Sequence, residues 1–224
     1  NSEGYWMDQQ LIEHGIIPKT IVDIGANFGE ISLYFSKKYP TSKIYSIEPS
    51  PQNLLYFKDN LEIQYFMTDN IKVIKKAISD KIGQIKITSG LNSENSIVTS
   101  RTSDGTKGNK YDIVETTTLS LACKQYQIYD IDFLKIDIEG SEPLLTSCLD
   151  TLIPNIKSML IEFSDKNSFE SYEKLLKVIY SHEMICYKKG DSINNQIEIK
   201  EAIEIIKKLD PKKNIKKGIT EKFV

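Results

Sequence analysis

Short runs of apolar, β-branched residues alternate with amphipathic stretches along most of this chain. The first run is Thr20–Ile24 and a second lies at 44–47; between them Phe28, Ile31 and Phe35 recur at helical spacing. This alternation is typical of parallel strands joined by helices that cover both faces of a sheet. The sequence therefore predicts an α/β, Rossmann-like fold with a mostly parallel sheet.

The middle of the chain has a different pattern. Ile85 and Ile87 alternate with polar residues, and so do Ile113 and Glu115, which predicts a small antiparallel insertion. The stretch between them, 89–110, is rich in Ser, Thr, Asn and Gly. A loop of that length is typically either disordered or a functional lid, and both readings stay open.

Three further apolar runs predict three more strands, at 131–138, 158–163 and 184–187. With 224 residues, 40% of them hydrophobic, the chain can bury one substantial core. We expect the main domain to span 20–190, with a helical cover segment at 1–19. The remainder, 191–224, is expected to form a return strand near 196–199, a helix and a Lys-rich tail.

Composition excludes several classes of partner. The formal net charge is −2 and Arg101 is the only arginine, whereas nucleic-acid binders favour basic patches and bidentate arginines. Cys123, Cys148 and Cys186 are widely spaced, which indicates neither a disulfide framework nor a zinc site and fits a reducing, cytoplasmic setting. No apolar run approaches the roughly 20 residues of a membrane span.

The strongest local motif is VDIGANFG at 22–29, in which a strand ends in an acid and a glycine-bearing turn opens a helix. Gly25 and Gly29 would let backbone N–H groups approach a ligand, and the helix offers its partly positive amino end. A purely structural turn is the alternative. As a cofactor turn, the motif nominates Asp23, Gly25, Ala26, Asn27, Phe28 and Gly29.

Two acids favour S-adenosylmethionine over a dinucleotide. Asp23 suits the ammonium of that ligand, or a water bound to it, and the turn lacks the GxGxxG pattern of dinucleotide folds. Glu48 ends the next strand, where a carboxylate can accept both ribose hydroxyls, although it could also be a surface acid. Pro49 then turns the chain away, and Ser50 can cap a helix that starts at Pro51.

A third strand is predicted around 71–74, and Ala77 and Ile78 lie at its end, which in such a fold is beside the adenine. They are therefore candidate cofactor residues, although a simple exit from strand to loop explains them equally well.

A second motif, IDIEGSE at 136–142, places two acids at the end of another predicted parallel strand. Alternate strand residues point the same way, so Asp137 and Glu139 could face one cavity and accept a proton from an acceptor hydroxyl. Two acids this close could instead bind a divalent metal. A structural alternative is that Glu139 and Glu142 cap the helix that follows, and for Glu142 it has comparable weight.

Taken together, VDIGANFGEISLYF, YSIEPSPQNLLYFKDNL, AISDKIG and LKIDIEGSE resemble the FkbM family of methyltransferases. The resemblance extends from about residue 20 to residue 187. It implies a class I methyltransferase fold with a seven-stranded sheet and S-adenosylmethionine as methyl donor, giving S-adenosylhomocysteine as product. It also implies O-methylation of a hydroxyl on a sugar, glycan or related small molecule.

The resemblance also implies residue roles. Its cofactor-loop positions are Asp23, Gly25, Asn27 and Gly29. Glu48 becomes the ribose ligand, and Asp137 and Glu139 become the acids nearest the transferred methyl, with Asp137 also touching the cofactor. The chain departs from the family near Thr118, because the family more often has an acid directly after the leucine that follows. A nicotinamide-dependent oxidoreductase and a non-catalytic adenosylmethionine-binding module stay open as alternatives.

Overall fold

The computed structural model describes residues 2–63, 68–88, 111–164, 169–182, 198–207 and 220–223. Its strands are, in chain order, β1 (Thr20–Ile24), β2 (Lys43–Ile47), β3 (Ile71–Ile74), β4 (Ala77–Ile78), β5 (Gly83–Thr88), β6 (Tyr111–Thr117), β7 (Phe133–Ile136), β8 (Met159–Ser164) and β9 (Thr220–Phe223). Its α-helices are α1 (Ser2–Glu13), α2 (Glu30–Lys38), α3 (Pro51–Ile63), α4 (Leu119–Tyr126), α5 (Thr146–Leu152), α6 (Phe169–Ser181) and α7 (Ile199–Lys207). None of these helices is long and apolar enough to cross a membrane.

The main sheet has the strand order β3-β2-β1-β7-β8-β9. All neighbouring strands pair in parallel except β9, which runs antiparallel to β8. A second sheet has the order β4-β6-β5, in which β5 and β6 pair antiparallel and β4 and β6 in parallel. The α/β prediction is confirmed, and the predicted insertion is a mixed sheet.

The expected seven-stranded sheet has six strands within the described residues. The strand predicted at 184–187 and the loop at 89–110 lie outside those residues. Of the return strand predicted near 196–199, positions 196 and 197 lie outside the described residues, and Ile199 is the first residue of α7.

Apolar side chains fill both faces of the main sheet. On one face, Ile21 packs in a cluster with Phe35 of α2 and Phe133 of β7. On the other face, Val22 belongs to a larger cluster with Tyr172 of α6. Because successive strand residues point to opposite faces, each central strand contributes to both clusters and is buried along its length.

The register of the central strands brings their carboxyl ends to one level. Ile24 of β1 pairs with Ile47 of β2 on one side and with Ile136 of β7 on the other. The VDIGANFG turn, the Glu48 segment and the IDIEGSE turn therefore leave the sheet side by side. Ligands of open α/β sheets bind at this edge.

Candidate functional site

A cavity of about 330 Å³ opens at the carboxyl ends of β1, β2 and β7. The sequence-predicted residues that line it are Gly25, Ala26, Asn27, Phe28, Glu48, Pro49, Ala77, Ile78, Asp137 and Glu139. The other lining residues include Glu3, Glu30, Asn53, Lys76, Ile85, Ile87 and Lys135. The structure thus brings together the two motifs that are more than a hundred residues apart in the sequence.

Three predicted cofactor residues lie beside the cavity but do not line it. Asp23 is completely buried beneath the turn, where its Oδ2 accepts a hydrogen bond from the Ser32 hydroxyl at 2.7 Å. Gly29 packs against the ring of Phe57. The Ser50 hydroxyl accepts a hydrogen bond from the backbone N–H of Asn53, the third residue of α3, so it caps this helix as the sequence predicts. These residues support the wall of the cavity from behind.

The turn itself is tied to the sheet through its backbone. The N–H groups of Gly25 and Ala26 both donate to the carbonyl of Ile47, and that of Asn27 donates to Glu48 Oε2 at 2.9 Å. The Gly29 N–H donates to the Ala26 carbonyl, so the N–H groups of both glycines are paired within the protein. Gly25 has φ +79°, and a Cβ there would lie 1.8 Å from the Asp137 carbonyl oxygen. The glycine is required because two strand ends pass this close.

Glu48 is buried at the junction of β2 and α3. Its Oε1 accepts hydrogen bonds from the Ser50 N–H at 2.9 Å and from the Asn53 side-chain amide at 3.2 Å, in addition to the Asn27 contact with Oε2. Burial raises the pKa of this carboxyl above its ordinary value, and the backbone and side-chain donors partly counteract the rise. The carboxylate is held in one orientation along the cavity wall.

Two amide oxygens at the cavity have no hydrogen-bond donor among the described residues. They are Oδ1 of Asn27 and Oδ1 of Asn53, and both atoms are buried. A buried carbonyl oxygen without a donor is uncommon in folded proteins, and it marks a place where a ligand or water can donate. Sequence reasoning nominated Asn27 but missed Asn53, whose only local signal was its place in the first turn of α3.

Lys135 is a second residue that sequence reasoning missed. It lies in β7 directly opposite Asp23 of β1, and its Nζ is 3.4 Å from Asp23 Oδ1 and 3.4 Å from Asp137 Oδ2. The same Nζ donates to the Gly25 carbonyl at 3.2 Å. Burial alone would lower the pKa of Lys135, but the carboxylates of Asp23 and Asp137 outweigh burial and raise it. The ammonium group therefore stays charged and joins the two motifs.

The IDIEGSE turn is held by its own last acid. Glu142 Oε1 accepts the backbone N–H groups of Ile138 at 3.2 Å and Gly140 at 3.1 Å, and its Oε2 accepts the Tyr172 hydroxyl at 3.2 Å. Glu142 therefore binds backward to the turn that carries Glu139, which has φ +54°. The helix that follows starts without a side-chain cap.

Glu142 is expected to make the stability of the fold depend on pH. Burial raises the pKa of Glu142 to about 7, from an ordinary value near 4.5, and the nearby Asp137 adds to the rise. The folded state therefore favours the protonated form of Glu142. The contribution of this carboxyl to the free energy of unfolding is complete below pH 4.5 and is lost as the pH rises through 7. We expect the free energy of unfolding of the native chain to fall by about 3 kcal/mol more than that of Glu142→Gln between pH 4.5 and 8, at about 1.4 kcal/mol per pKa unit. Urea denaturation across this range measures the difference, and parallel pH profiles would contradict it.

Carboxylates outnumber ammonium groups along the cavity wall. The acids are Glu3, Glu30, Glu48, Asp137 and Glu139, and the bases are Lys76 and Lys135. Lys76 is paired with Glu115 at 3.1 Å, and Lys135 with the two aspartates. The wall therefore favours a ligand that carries positive charge. Within the described ranges, no group of three or more His, Cys, Asp or Glu side chains is arranged to hold a metal ion.

One side of the cavity is apolar and comes from the small sheet. Ala77 and Ile78 of β4 meet Ile85 and Ile87 of β5 there. Strand alternation places Ile85 and Ile87 on one face of β5, and both pack in one apolar cluster with Ala77 of β4 and Val114 of β6. A flat, largely apolar ring system matches such a wall. The sequence indicated the strand but not the surface that it covers.

Comparison with known proteins places this geometry in a family. The profile of the methyltransferase FkbM domain matches residues 23–189. Methyltransferase sdnD of Sordaria araneosa is 28% identical over 148 residues, which are 54% of this chain and 57% of that protein. Methyltransferase 1 of Beauveria bassiana is 44% identical over 43 residues, 19% of this chain and 17% of that protein. The chain thus spans about half, or less, of the length of these curated relatives.

Among solved structures, the FkbM methyltransferase of Methylobacillus flagellatus aligns with a TM-score of 0.46 at 15% identity, covering 92% of this chain and 43% of that one. The plantazolicin methyltransferase BamL, crystallised with a desmethyl plantazolicin analogue and S-adenosylhomocysteine, aligns with a TM-score of 0.49 at 12% identity, covering 99% of this chain and 82% of that one.

Proposed function

The chain belongs to the methyltransferase FkbM domain family, and from this premise we propose that it transfers a methyl group from S-adenosylmethionine to a hydroxyl oxygen of a sugar, glycan or related small molecule. The observation that carries the proposal is the cavity itself. Glu48 stands at the carboxyl end of β2, and Asp137 and Glu139 follow the carboxyl end of β7; the lining also includes apolar residues of β4 and β5. The volume of about 330 Å³ lies within the ordinary range of small-molecule sites.

The residues present fit adenosylmethionine in three respects. The excess of carboxylates suits its sulfonium and ammonium charges. The wall formed by Ala77, Ile78, Ile85 and Ile87 suits the adenine, and the buried carboxylate of Glu48 suits hydroxyl donors of the ribose. When bound, this cofactor supplies an electrophilic methyl carbon on a positively charged sulfur.

Asp137 and Glu139 are the proposed general bases. Both line the cavity, and the Glu142 hydrogen bonds fix the turn that carries them. As the acceptor oxygen forms its bond to the methyl carbon and the carbon–sulfur bond breaks, one of these carboxylates takes the hydroxyl proton. The protein otherwise has to hold the acceptor oxygen, the methyl carbon and the sulfur in line, and such orientation can lower the barrier of a displacement reaction substantially.

The test measures cofactor affinity and methyl transfer separately. We expect the purified chain to bind S-adenosylhomocysteine and to move labelled methyl from S-adenosylmethionine to members of a panel of sugars, glycans and hydroxylated small molecules. Asp137→Asn and Glu139→Gln should retain affinity for S-adenosylhomocysteine, and at least one should lose transfer by about 10²- to 10⁴-fold, the usual contribution of a general base. Calorimetric titration and scintillation counting give the two quantities.

Asp150→Asn is the matched control, because Asp150 is an exposed acid paired with His182 and does not line the cavity. Its transfer rate should equal that of the native chain. Binding of NADH in place of the sulfur ligand would support an oxidoreductase. Unchanged transfer in both acid variants would instead remove their catalytic role and leave the chain as a binding module or an enzyme with another base.

A further inference from the structure

We propose that Asn53 binds one hydroxyl of the ribose diol of the cofactor and that Glu48 binds the other. This assignment rests on the proposed function and adds to it a residue that sets specificity for a ligand with both hydroxyls. It follows from the hydrogen-bonding capacity of Glu48, the orientation of Asn53 and the position of both at the cavity.

Glu48 alone has too little remaining capacity to accept two hydroxyls. A carboxylate offers about four lone-pair sites, two on each oxygen. Oε1 already accepts the Ser50 N–H and the Asn53 amide, and Oε2 accepts the Asn27 N–H. One site on Oε2 is left for a ligand. A vicinal diol carries two O–H donors, so its second hydroxyl needs another acceptor close to the first.

Asn53 presents such an acceptor. Its side chain is 3% exposed, and its Oδ1 has no hydrogen-bond donor among the described residues. Its amide nitrogen donates to Glu48 Oε1, so the two groups are direct neighbours. Reversing the amide would turn Oδ1 toward that carboxylate oxygen, and two acceptors would then face each other. The hydrogen bond to Glu48 therefore fixes which atom of Asn53 is left for a ligand.

The first turn of α3 holds Asn53 in this place. The backbone N–H of Asn53 donates to the Ser50 hydroxyl at 3.3 Å, and Ser50 donates its own N–H to Glu48. Helix cap, carboxylate and amide thus form one connected network at the cavity wall. A ligand hydroxyl that donates to Oδ1 would complete it, and because Oδ1 is buried in the unliganded chain, binding requires a local shift that opens this atom to the cavity.

The experiment combines removal of the ligand hydroxyl with removal of the residue. S-Adenosylhomocysteine and its 2′-deoxy and 3′-deoxy analogues are titrated into the native chain, Asn53→Ala and Asn53→Leu, with thermal denaturation to verify folding. We expect the native chain to bind at least one deoxy analogue about 10- to 100-fold more weakly than the parent ligand, the usual consequence of leaving a buried acceptor unpaired. In both Asn53 variants the affinity for S-adenosylhomocysteine should fall, and the difference in affinity between it and that deoxy analogue should disappear.

Asn60→Ala is the matched control, because Asn60 lies on the same helix, donates to the Phe28 carbonyl and does not line the cavity. It should preserve the native ratio of affinities. Full discrimination in the Asn53 variants would overturn the proposal, as would its loss in Asn27→Ala instead, since Asn27 carries the other unpaired amide oxygen. If the native chain binds the parent and both analogues equally, the assignment of Asn53 and Glu48 to the ribose hydroxyls is wrong, but the proposed function is not affected. A native chain that binds none of them would refute the proposed function.

Discussion

Replacing Lys135 with methionine is expected to lower the free energy of unfolding by about 3 to 5 kcal/mol, the usual result of removing one partner from a buried ion pair. The Lys135 ammonium lies between the carboxylates of Asp23 and Asp137 and donates to the Gly25 carbonyl. Methionine has a similar length but no charge, so Asp23 would remain buried without a cation. Chemical denaturation measures the loss, and calorimetric titration should show weaker binding of S-adenosylhomocysteine, because the cofactor turn loses its tie to β7.

Two further variants test the electrostatic origin of this effect. Lys157→Met removes a lysine that pairs with Asp132, one residue before β7 and at the opposite end of that strand from the cavity. Because Lys157 is largely exposed, the variant should be clearly more stable than Lys135→Met and should bind S-adenosylhomocysteine as the native chain does. Adding Asp23→Asn to Lys135→Met removes the unpaired charge and should recover part of the lost stability. If the double variant is no more stable than Lys135→Met, the loss comes from packing.

Local signals account for the parts of the fold that the sequence predicted. The β-branched run Thr20–Ile24 and the glycines that follow specify a strand, a turn and a helix within a few residues of one another. Ser50 and Pro51 specify the start of α3 in the same way, because Ser50 caps the helix and Pro51 has a fixed φ that suits its first position. Such features depend on neighbouring residues only, so they can be read without knowing the pairing of strands.

The missed parts of the site depend on strand register. Lys135 becomes a central residue only because β1 and β7 pair with Asp23 opposite it, over a separation of 112 positions in the chain. The sequence did carry a sign of this, because Lys135 lies among the apolar residues Phe133, Leu134 and Ile136, and a buried lysine needs a charged partner. Asn53 carried no comparable sign, because its unpaired oxygen is evident only from the geometry around Glu48.

Gly25→Ala is expected to be the most damaging single substitution in the turn. The added Cβ would lie 1.8 Å from the Asp137 carbonyl oxygen, a backbone atom at the end of β7, and Gly25 has φ +79°, which L-residues with a side chain rarely adopt. Relief requires β1 and β7 to separate where Asp137 N–H donates to the Ile24 carbonyl. We expect a loss of at least about 4 kcal/mol in the free energy of unfolding, or failure to fold, together with loss of S-adenosylhomocysteine binding.

Gly15→Ala separates the steric effect from the backbone effect. Gly15 also has a left-handed backbone, with φ +68°, but a Cβ there meets no atom within 4 Å. That variant should lose only about 1 to 2 kcal/mol, the cost of holding a non-glycine residue in this conformation, and should keep its affinity for the ligand. Chemical denaturation and calorimetry of the two variants side by side make the comparison. Equal stability losses at the two glycines would mean that the turn can move away from Asp137, and the close approach of β1 and β7 would then not be the reason for glycine at position 25.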